Sequence, residues 1–247
     1  MLPGTGVILT RPADQARALA RMIEAIGGRA IAFPALEILE HHPAPETRTA
    51  LDKAEIAIFI SANAVEFGLR YAQTRLAQSL RLAAIGNVTA LALRDRGYEN
   101  IILPDTGSDS EALLASPALQ DICGKRIVVF RGIGGRETLR SVLCQRGAKV
   151  AYIECYARRQ PDVSASDLAK LLDHEDIAAI HVLSRETLQN FSNMIGPNAL
   201  QTLRHKPLFA PHPAILEGAR VLGFGDGVLT GFGDEGLLVA LQQRFGV

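Results

Sequence analysis

The two halves of this 247-residue sequence repeat one another, and this duplication constrains the fold more than any other feature. Four pairs of segments align in the same order and at a nearly constant spacing: Val7–Arg11 with Ile127–Arg131, Glu55–Ala57 with Asp176–Ala178, Leu82–Gly97 with Leu208–Gly223, and Thr106–Leu114 with Thr230–Leu238. Chance accounts for any one pair, but not for their shared order. The duplication therefore predicts two similar lobes built from homologous halves.

Short β-branched runs alternate with helical stretches along both halves. Val7–Thr10 has the composition of a buried strand, and the apolar residues of Ala13–Ile26 recur at helical spacing. The other predicted strands are Ala30–Phe33, Glu55–Ile60, Leu82–Ile85, Asn100–Leu103, Arg126–Phe130, Lys149–Ile153, Ala178–Leu183, Pro207–Ala210 and Gly227–Leu229. Continuous apolar strands separated by helices are typical of parallel sheets covered on both faces. The predicted fold class is α/β.

Two polar, Pro-containing stretches interrupt this pattern at corresponding places in the two halves. Pro34–Lys53 contains HHPAPE, and Glu154–Glu175 contains RRQP. Such stretches are typical of connectors between domains. Two lobes joined by two connectors predict a cleft between the lobes, where ligands commonly bind.

Charge and hydropathy exclude several classes of function. With 26 basic and 26 acidic residues the chain lacks the surplus of cations that a general nucleic-acid binder needs. We find neither the roughly 18-residue apolar run of a membrane span nor a secretory signal. The three cysteines form no CxxC pair, so neither a disulfide framework nor a zinc site is indicated. We expect a cytoplasmic protein that binds neither nucleic acid nor membrane.

Polar residues follow several predicted strands at their carboxyl ends, the edge where ligands bind in parallel α/β sheets. Each serine or threonine alone is more simply interpreted as a helix N-cap. Together with the arginines they predict a ligand with several carboxylates or phosphates, because guanidinium groups and helix N-termini both bind anions. These residues are Arg11, Ser61, Asn63, Thr89, Arg131 and Ser184.

Two further features leave alternatives open. Tyr156 lies where the second βαβ unit enters its connector, and a phenol there either donates a hydrogen bond to a departing hydroxyl group or packs the hinge. The turn Arg131–Arg136 resembles a dinucleotide fingerprint only in part, because Glu137 stands where the last glycine belongs. This mismatch weakens the hypothesis of a nucleotide- or nicotinamide-dependent enzyme.

The order of several motifs resembles the uroporphyrinogen-III synthase family, from residue 7 to about residue 240. The motifs are LTRP (Leu9–Pro12), FPALEI (Phe33–Ile38), FISANAVEF (Phe59–Phe67), AIGNVTALAL (Ala84–Leu93), SEALL (Ser110–Leu114) and RGIGGRETL…RGAKV…YAR (Arg131–Arg158). The resemblance implies two flavodoxin-like lobes joined by a two-stranded connector, with the active-site cleft between them. It also implies that residues 1–36 and 160–247 form one lobe and residues 38–157 the other.

The family resemblance further implies a reaction. Linear hydroxymethylbilane is cyclised to uroporphyrinogen III, with inversion of ring D and loss of water, in haem and sirohaem biosynthesis. No metal or organic cofactor is implied. Each pyrrole of this substrate carries an acetate and a propionate, which suits the anion-binding residues. We also expect a monomer that accepts its substrate from the preceding enzyme of the pathway.

Finally, the resemblance assigns roles to individual residues. Tyr156 matches the family tyrosine proposed to assist departure of the hydroxyl group. The positions associated with substrate binding are Ser61, Thr89, Arg136, Ser184 and Lys206. Where many members have a Gly-Thr helix start, this chain has Ala210–Ala214, so His212 becomes a candidate substitute donor. The alternative function is a non-catalytic ligand-binding or regulatory module with the same two-lobed fold.

Overall fold

The computed structural model describes residues 1–73, 76–173 and 176–246, and ten strands and ten α-helices lie within these ranges. In chain order the first ten elements are β1 (Gly6–Leu9), α1 (Ala13–Ala25), β2 (Arg29–Ala32), β3 (Glu37–Glu40), α2 (Glu46–Asp52), β4 (Ile56–Phe59), α3 (Ala62–Ala72), β5 (Arg81–Ala84), α4 (Asn87–Arg94) and α5 (Ser110–Ala115). The others are β6 (Arg126–Gly132), α6 (Thr138–Gln145), β7 (Lys149–Arg159), α7 (Ala165–Leu172), β8 (Ile177–His181), α8 (Arg185–Leu203), β9 (Leu208–Ala210), α9 (Pro213–Val221), β10 (Gly227–Leu229) and α10 (Gly233–Phe245). The α/β class predicted from the sequence is confirmed.

The chain divides into two compact units. Unit 1 consists of Met1–Glu37 and Arg159–Val247, and unit 2 consists of Ile38–Arg158. Unit 2 is therefore one continuous segment, whereas unit 1 is assembled from two distant segments.

Unit 1 contains a five-stranded sheet in the order β2-β1-β8-β9-β10, with parallel pairing throughout. This is the flavodoxin-like strand order. Successive residues of a strand point to opposite faces, so Val7 packs with α1 and α10 on one face. Its neighbour Ile8 packs with Phe191 of α8 on the other. Helices thus cover both faces of the sheet, as the continuous apolar strands predict.

Unit 2 contains a second five-stranded sheet in the order β3-β7-β6-β4-β5. The pairs β7-β6, β6-β4 and β4-β5 are parallel. Beyond β5, Ile102 forms a single parallel bridge to Ala83. Phe59 and Phe130 stack at the centre of this unit with ring centroids 4.5 Å apart.

The repeated segments of the sequence occupy equivalent places in the two sheets. The strands β1 and β6 correspond, as do β8 and β4, and β9 and β5. Along the chain, however, β1, α1 and β2 precede unit 2, and β6, α6 and β7 precede the later part of unit 1. Each unit thus joins the first βαβ segment of one half to the remaining strands of the other half.

Two predicted strands differ from the observed ones. The sequence places Asn100–Leu103 in a strand, but only the bridge at Ile102 forms there. The predicted strand Lys149–Ile153 continues as β7 to Arg159, because the backbone of this polar stretch is paired on both sides. On one side, Glu154 of β7 pairs with Arg131 of β6. On the other side, the backbone N–H of His41, next to β3, donates to the carbonyl of Cys155 at 3.0 Å.

None of the helices in the described ranges is long and apolar enough to cross a bilayer.

Candidate active site

Each sheet has a place where connections to the next strands leave in opposite directions. In unit 1 this switch point lies between β1 and β8, and in unit 2 it lies between β6 and β4. In open α/β sheets, ligands bind at the carboxyl ends of the strands at such a point. Arg11 and Ser184 follow β1 and β8, whereas Arg131 and Ser61 stand at the ends of β6 and β4. The fold therefore brings these predicted residues to the switch point of their own unit.

Ser61 joins the start of a helix to a tyrosine. Its extended backbone makes it the N-cap of α3, and its Oγ accepts the N–H of Ala64 at 3.0 Å. The same Oγ lies 3.0 Å from the hydroxyl oxygen of Tyr156. The bond from the N–H of Ala64 occupies only a lone pair of the Ser61 oxygen. The hydroxyl hydrogen of Ser61 is therefore free to donate to Tyr156. That arrangement leaves the phenolic hydrogen of Tyr156 available to another acceptor.

The Tyr156 ring is held in a narrow slot. It is 1% exposed and stacks on Phe67 with ring centroids 5.9 Å apart. The register pairs Tyr156 with Gly132, and a Cβ atom at position 132 would lie only 2.6 Å from Cε2 of the ring. The sequence suggested that Tyr156 lies in a connector, but it lies within β7, level with the carboxyl end of β6. Packing and hydrogen bonding together fix the phenol at this edge.

We expect Gly132→Ala to displace the Tyr156 ring and to lower both turnover and stability. An overpacked side chain typically costs about 1–3 kcal/mol, which a urea unfolding curve resolves. The matched control is Gly225→Ala, because a Cβ atom at that exposed glycine meets no atom within 4 Å. If the two variants unfold at the same urea concentration and turn over equally fast, the slot does not constrain Tyr156.

Arg131 organises the glycine-rich turn after β6. Its side chain is only 3% exposed, and its Nη1 lies 3.2 Å from the Glu137 carboxylate. The guanidinium also stacks 4.3 Å above the Tyr152 ring and donates to the carbonyl of Arg136. Burial and the nearby Glu137 raise the pKa of Tyr152 above its usual value. The geometry gives Arg131 a supporting role in the turn, and its predicted contact with substrate stays a prediction.

The neighbouring Arg136 is the accessible arginine of this turn. Its side chain is 79% exposed, and a 3.8 Å ion pair links it to Glu111. Asn63 is half-buried in the first turn of α3, and Thr89 is buried in the first turn of α4. These three residues therefore surround the carboxyl edge of the unit 2 sheet, where the sequence places them.

At the switch point of unit 1, Arg11 forms an ion pair that the sequence did not predict. Its Nη1 lies 2.8 Å from the carboxylate of Asp234, which belongs to the first turn of α10, and its side chain is only 10% exposed. Its Nε is buried and has no hydrogen-bond partner among the described residues. Asp234 belongs to the repeated motif Thr230–Leu238, and that repetition was the one signal for it in the sequence.

His181, at the end of β8, is a second residue that sequence reasoning missed. The side chain is 3% exposed, and its backbone carbonyl accepts the hydroxyl of Thr10 at 2.7 Å. Burial, with a smaller contribution from the positive charge of Arg11, lowers the pKa of His181 to about 3. The ring is therefore neutral at physiological pH.

Ser184 and His212 begin the two helices beside this switch point. The Oγ of Ser184 accepts the N–H of Thr187 at 3.0 Å and lies 2.8 Å from its hydroxyl group. The exposed His212 accepts the N–H of Ala214 at its Nδ1, at 3.1 Å. Since Nδ1 is an acceptor, the neutral ring carries its hydrogen on Nε2. His212 thus presents a hydrogen-bond donor at the start of α9.

Lys206 is the one predicted site residue that the fold does not bring to the carboxyl edge of its sheet. It precedes β9, whereas His212 follows this strand. In a parallel sheet the two ends of a strand lie at opposite edges. Lys206 therefore lies at the amino edge, away from Arg11, Ser184 and His212.

Comparison with known proteins supports one family. A family model described as uroporphyrinogen-III synthase HemD matches residues 17–237. The uroporphyrinogen-III synthase of Escherichia coli is 32% identical over 248 residues, covering 96% of this chain and 99% of that protein. The synthase of Salmonella typhimurium is 33% identical over 189 residues, covering 74% of this chain and 77% of the relative.

Solved structures support the same fold. The uroporphyrinogen-III synthetase of Helicobacter pylori superposes with a TM-score of 0.65 at 14% identity, covering 97% of this chain and 99% of that one. A mutant synthase of Thermus thermophilus gives a TM-score of 0.60 at 17% identity, with the same coverage. Because the family model spans most of the sequence and a relative aligns over nearly its whole length, the chain belongs to the uroporphyrinogen-III synthase family.

Proposed function

We propose that the protein cyclises hydroxymethylbilane to uroporphyrinogen III, with inversion of ring D and loss of water. Family membership supports the reaction, and one geometric observation carries the assignment of its active-site group. The hydroxyl groups of Tyr156 and Ser61 are 3.0 Å apart at the carboxyl edge of the unit 2 sheet. A phenol held in this way is positioned to donate its hydrogen to a departing hydroxyl group.

The chemistry begins at the hydroxymethyl group of the substrate. Its C–O bond breaks, Tyr156 supplies the proton, and water leaves, which produces a reactive azafulvenium cation and the Tyr156 phenolate. Attack by the substituted carbon of ring D gives a spiro intermediate, which fragments and recloses with the ring inverted. The pyrrole carbon that forms the last bond loses a proton, and this proton restores the phenol. Atoms and charges thus balance without a cofactor in the written steps.

Ser61 assists by stabilising the negative charge that develops on the phenolic oxygen. A hydrogen bond to a charged oxygen contributes about 1.5–3 kcal/mol, and the Oγ of Ser61 is held in place because it caps α3. Preorganised donors of this kind act without reorganisation at the moment of reaction. We therefore assign Tyr156 the role of proton donor and Ser61 the role of its positioning residue.

Binding of the acetate and propionate groups supplies the other half of catalysis, because inversion requires control of substrate conformation. In unit 2, Arg136, Asn63 and the start of α4 at Thr89 are suited to carboxylates. In unit 1, Arg11 and the starts of α8 and α9, at Ser184 and His212, serve the same purpose. Well-oriented binding of this kind contributes several kcal/mol by proximity.

The product isomer decides between this function and the alternative of a non-catalytic module. Purified protein is supplied with hydroxymethylbilane, the products are oxidised to porphyrins, and the type I and type III isomers are separated by chromatography. We expect the type III isomer to predominate, whereas a blank without protein gives the uninverted type I isomer. Type I alone in both samples would disprove the synthase assignment.

We also propose that the protein acts in the cytoplasm, as a monomer that accepts its substrate from the preceding enzyme. Three free cysteines, two of them exposed, support a reducing compartment. The spontaneous closure of free hydroxymethylbilane supports direct hand-over, since time in solution yields the wrong isomer. Sedimentation velocity of the protein alone tests the monomeric state, and sedimentation velocity with the preceding enzyme tests hand-over through a complex. A monomer and a complex sediment at different rates.

A further inference from the structure

Unit 2 contains a cavity of about 350 Å³ at the opposite edge of its sheet, where α2 lies against β6 and β7. The seven residues of α2 span about 10 Å. The eleven residues of β7 extend about 36 Å and the seven of β6 about 23 Å. The short helix is therefore less than half as long as either strand, and Ala50, Val128 and Ala151 form the apolar wall of the cavity beside it.

Basic side chains surround this apolar wall. Lys53, Arg126 and Lys149 line the cavity, and Glu46 is the acidic residue among the described residues that line it. The chain as a whole has no net charge, with 26 basic and 26 acidic residues. The excess of positive charge at the cavity is thus a local property and not a reflection of composition.

Neighbouring acidic groups neutralise only part of this charge. Glu55 lies 2.9 Å from Lys125 and 3.4 Å from Arg126, and these two cations hold the pKa of its carboxyl group below the usual value. Arg126 also donates to the backbone carbonyl of Lys53 at 2.5 Å, which fixes its side chain. Within the described part of the chain, the ammonium groups of Lys53 and Lys149 have no ion pair. Two exposed lysines therefore remain available to a ligand at the mouth of the cavity.

The cavity is separate from the candidate active site. It adjoins Arg126 at the start of β6, whereas Tyr156 pairs with Gly132 at the end of the same strand. The six residue steps between Arg126 and Gly132 correspond to about 20 Å along the strand. A ligand in the cavity therefore does not occupy the space that the reaction needs in unit 2.

We propose that this cavity is a second binding site, for a small organic anion with an apolar body and a carboxylate, phosphate or sulfonate group. The apolar body packs against Ala50, Val128 and Ala151, and the anionic group is bound by Lys53 and Lys149 with support from Arg126. The volume lies at the lower end of the range for ligand pockets, so the site suits a single ring system better than a whole linear tetrapyrrole. Binding here stabilises unit 2, because a ligand of the folded state shifts the unfolding equilibrium.

The probe that tests the site is 1-anilinonaphthalene-8-sulfonate, which combines an apolar body with an anion and fluoresces when it leaves water. We expect the full chain to bind one equivalent saturably. The double variant Lys53→Gln/Lys149→Gln should bind at least about 10-fold more weakly, since it loses two charge-assisted hydrogen bonds to the anion. The control is Lys170→Gln, a lysine that lines a different cavity in unit 1 and is paired with Asp167. This control should bind the probe as tightly as the unmodified protein.

The uncharged probe N-phenyl-1-naphthylamine separates charge recognition from apolar contact, and its affinity should not change in the double variant. Circular dichroism and urea unfolding establish that the double variant is folded, and the isomer assay should find its synthase activity intact. The proposal is overturned by a probe that shows no saturable binding, by equal affinity in the double variant, or by equal weakening in Lys170→Gln. Since the isomer assay is read independently, a failed synthase assignment would not be mistaken for a failed anion site.

Discussion

Replacement of Tyr156 with phenylalanine is expected to lower kcat by about 10²-fold or more, because proton donation by a positioned side chain typically contributes 10²–10⁴-fold. The substitution removes one oxygen atom and keeps the ring that packs against Phe67 and Gly132. Its effect on folding should therefore be small, and unfolding in urea checks this. Turnover is measured as formation of the type III isomer under saturating hydroxymethylbilane. A kcat equal to that of the unmodified protein would return Tyr156 to a purely structural role.

Ser61→Ala separates the assistance to Tyr156 from the capping of α3. Loss of an N-cap costs about 1 kcal/mol of stability, and Ser184→Ala is the matched control because Ser184 caps α8 in the same way without a tyrosine partner. We expect similar losses of stability in the two variants. If Ser61 acts through the phenol, Ser61→Ala should lower kcat in the unmodified background but have little further effect beside Tyr156→Phe. Fully additive losses in the double variant would contradict this coupling.

Acidification from pH 7 to pH 5 is expected to lower the free energy of unfolding by about 2 kcal/mol through His181 alone. The folded protein holds the pKa of this histidine at about 3, against an ordinary value of 6.5. Below pH 6.5 the unfolded chain therefore binds a proton that the folded chain does not bind. The stability that the neutral His181 contributes is fully present above pH 6.5. It is lost as the pH falls from 6.5 toward 3.

Urea unfolding at pH 7 and at pH 5 measures this effect. The variant His181→Leu places an apolar side chain of similar size at the buried position and removes the titrating group. Between pH 7 and pH 5 its free energy of unfolding should therefore fall by about 2 kcal/mol less than that of the unmodified protein. The surface variant His205→Gln controls for the loss of a histidine elsewhere in the chain. Identical pH dependence in His181→Leu and the unmodified protein would show that His181 does not titrate as its burial requires.

The sequence predicted the α/β class and the residues at the switch points because both depend on local patterns. Strand periodicity is read from a few neighbouring residues, and repetition places Ser61 and Ser184 at equivalent strand ends. The extension of β7 through Tyr156 was not predictable in this way. The polar residues there lack an apolar pattern, and pairing with β3 and β6, distant in the sequence, makes them a strand.

The two equivalent arginines show a second limit of the sequence. Arg11 and Arg131 are both arginines and stand at equivalent strand ends of the two units, yet they have different electrostatic partners. Glu137, a few residues along the chain, pairs with Arg131 and helps to bury it in a turn. Arg11 instead pairs with Asp234, which only the tertiary fold brings near. Repetition therefore identifies the position of a side chain but not its partner.

The exchange of βαβ segments between the halves has a consequence for the order of folding during synthesis. The strands β1 and β2 are made before unit 2 but cannot complete their sheet until β8 has been made, and the hydroxyl group of Thr10 donates to the carbonyl of His181, 171 positions later. All of unit 2 is synthesised within that interval and forms a continuous segment. Domains generally fold as units as they emerge, and the entropic cost of closing a loop grows only logarithmically with its length. We therefore expect unit 2 to fold before unit 1, so that β1 and β2, although made earlier than unit 2, pair with β8 only after unit 2 has folded.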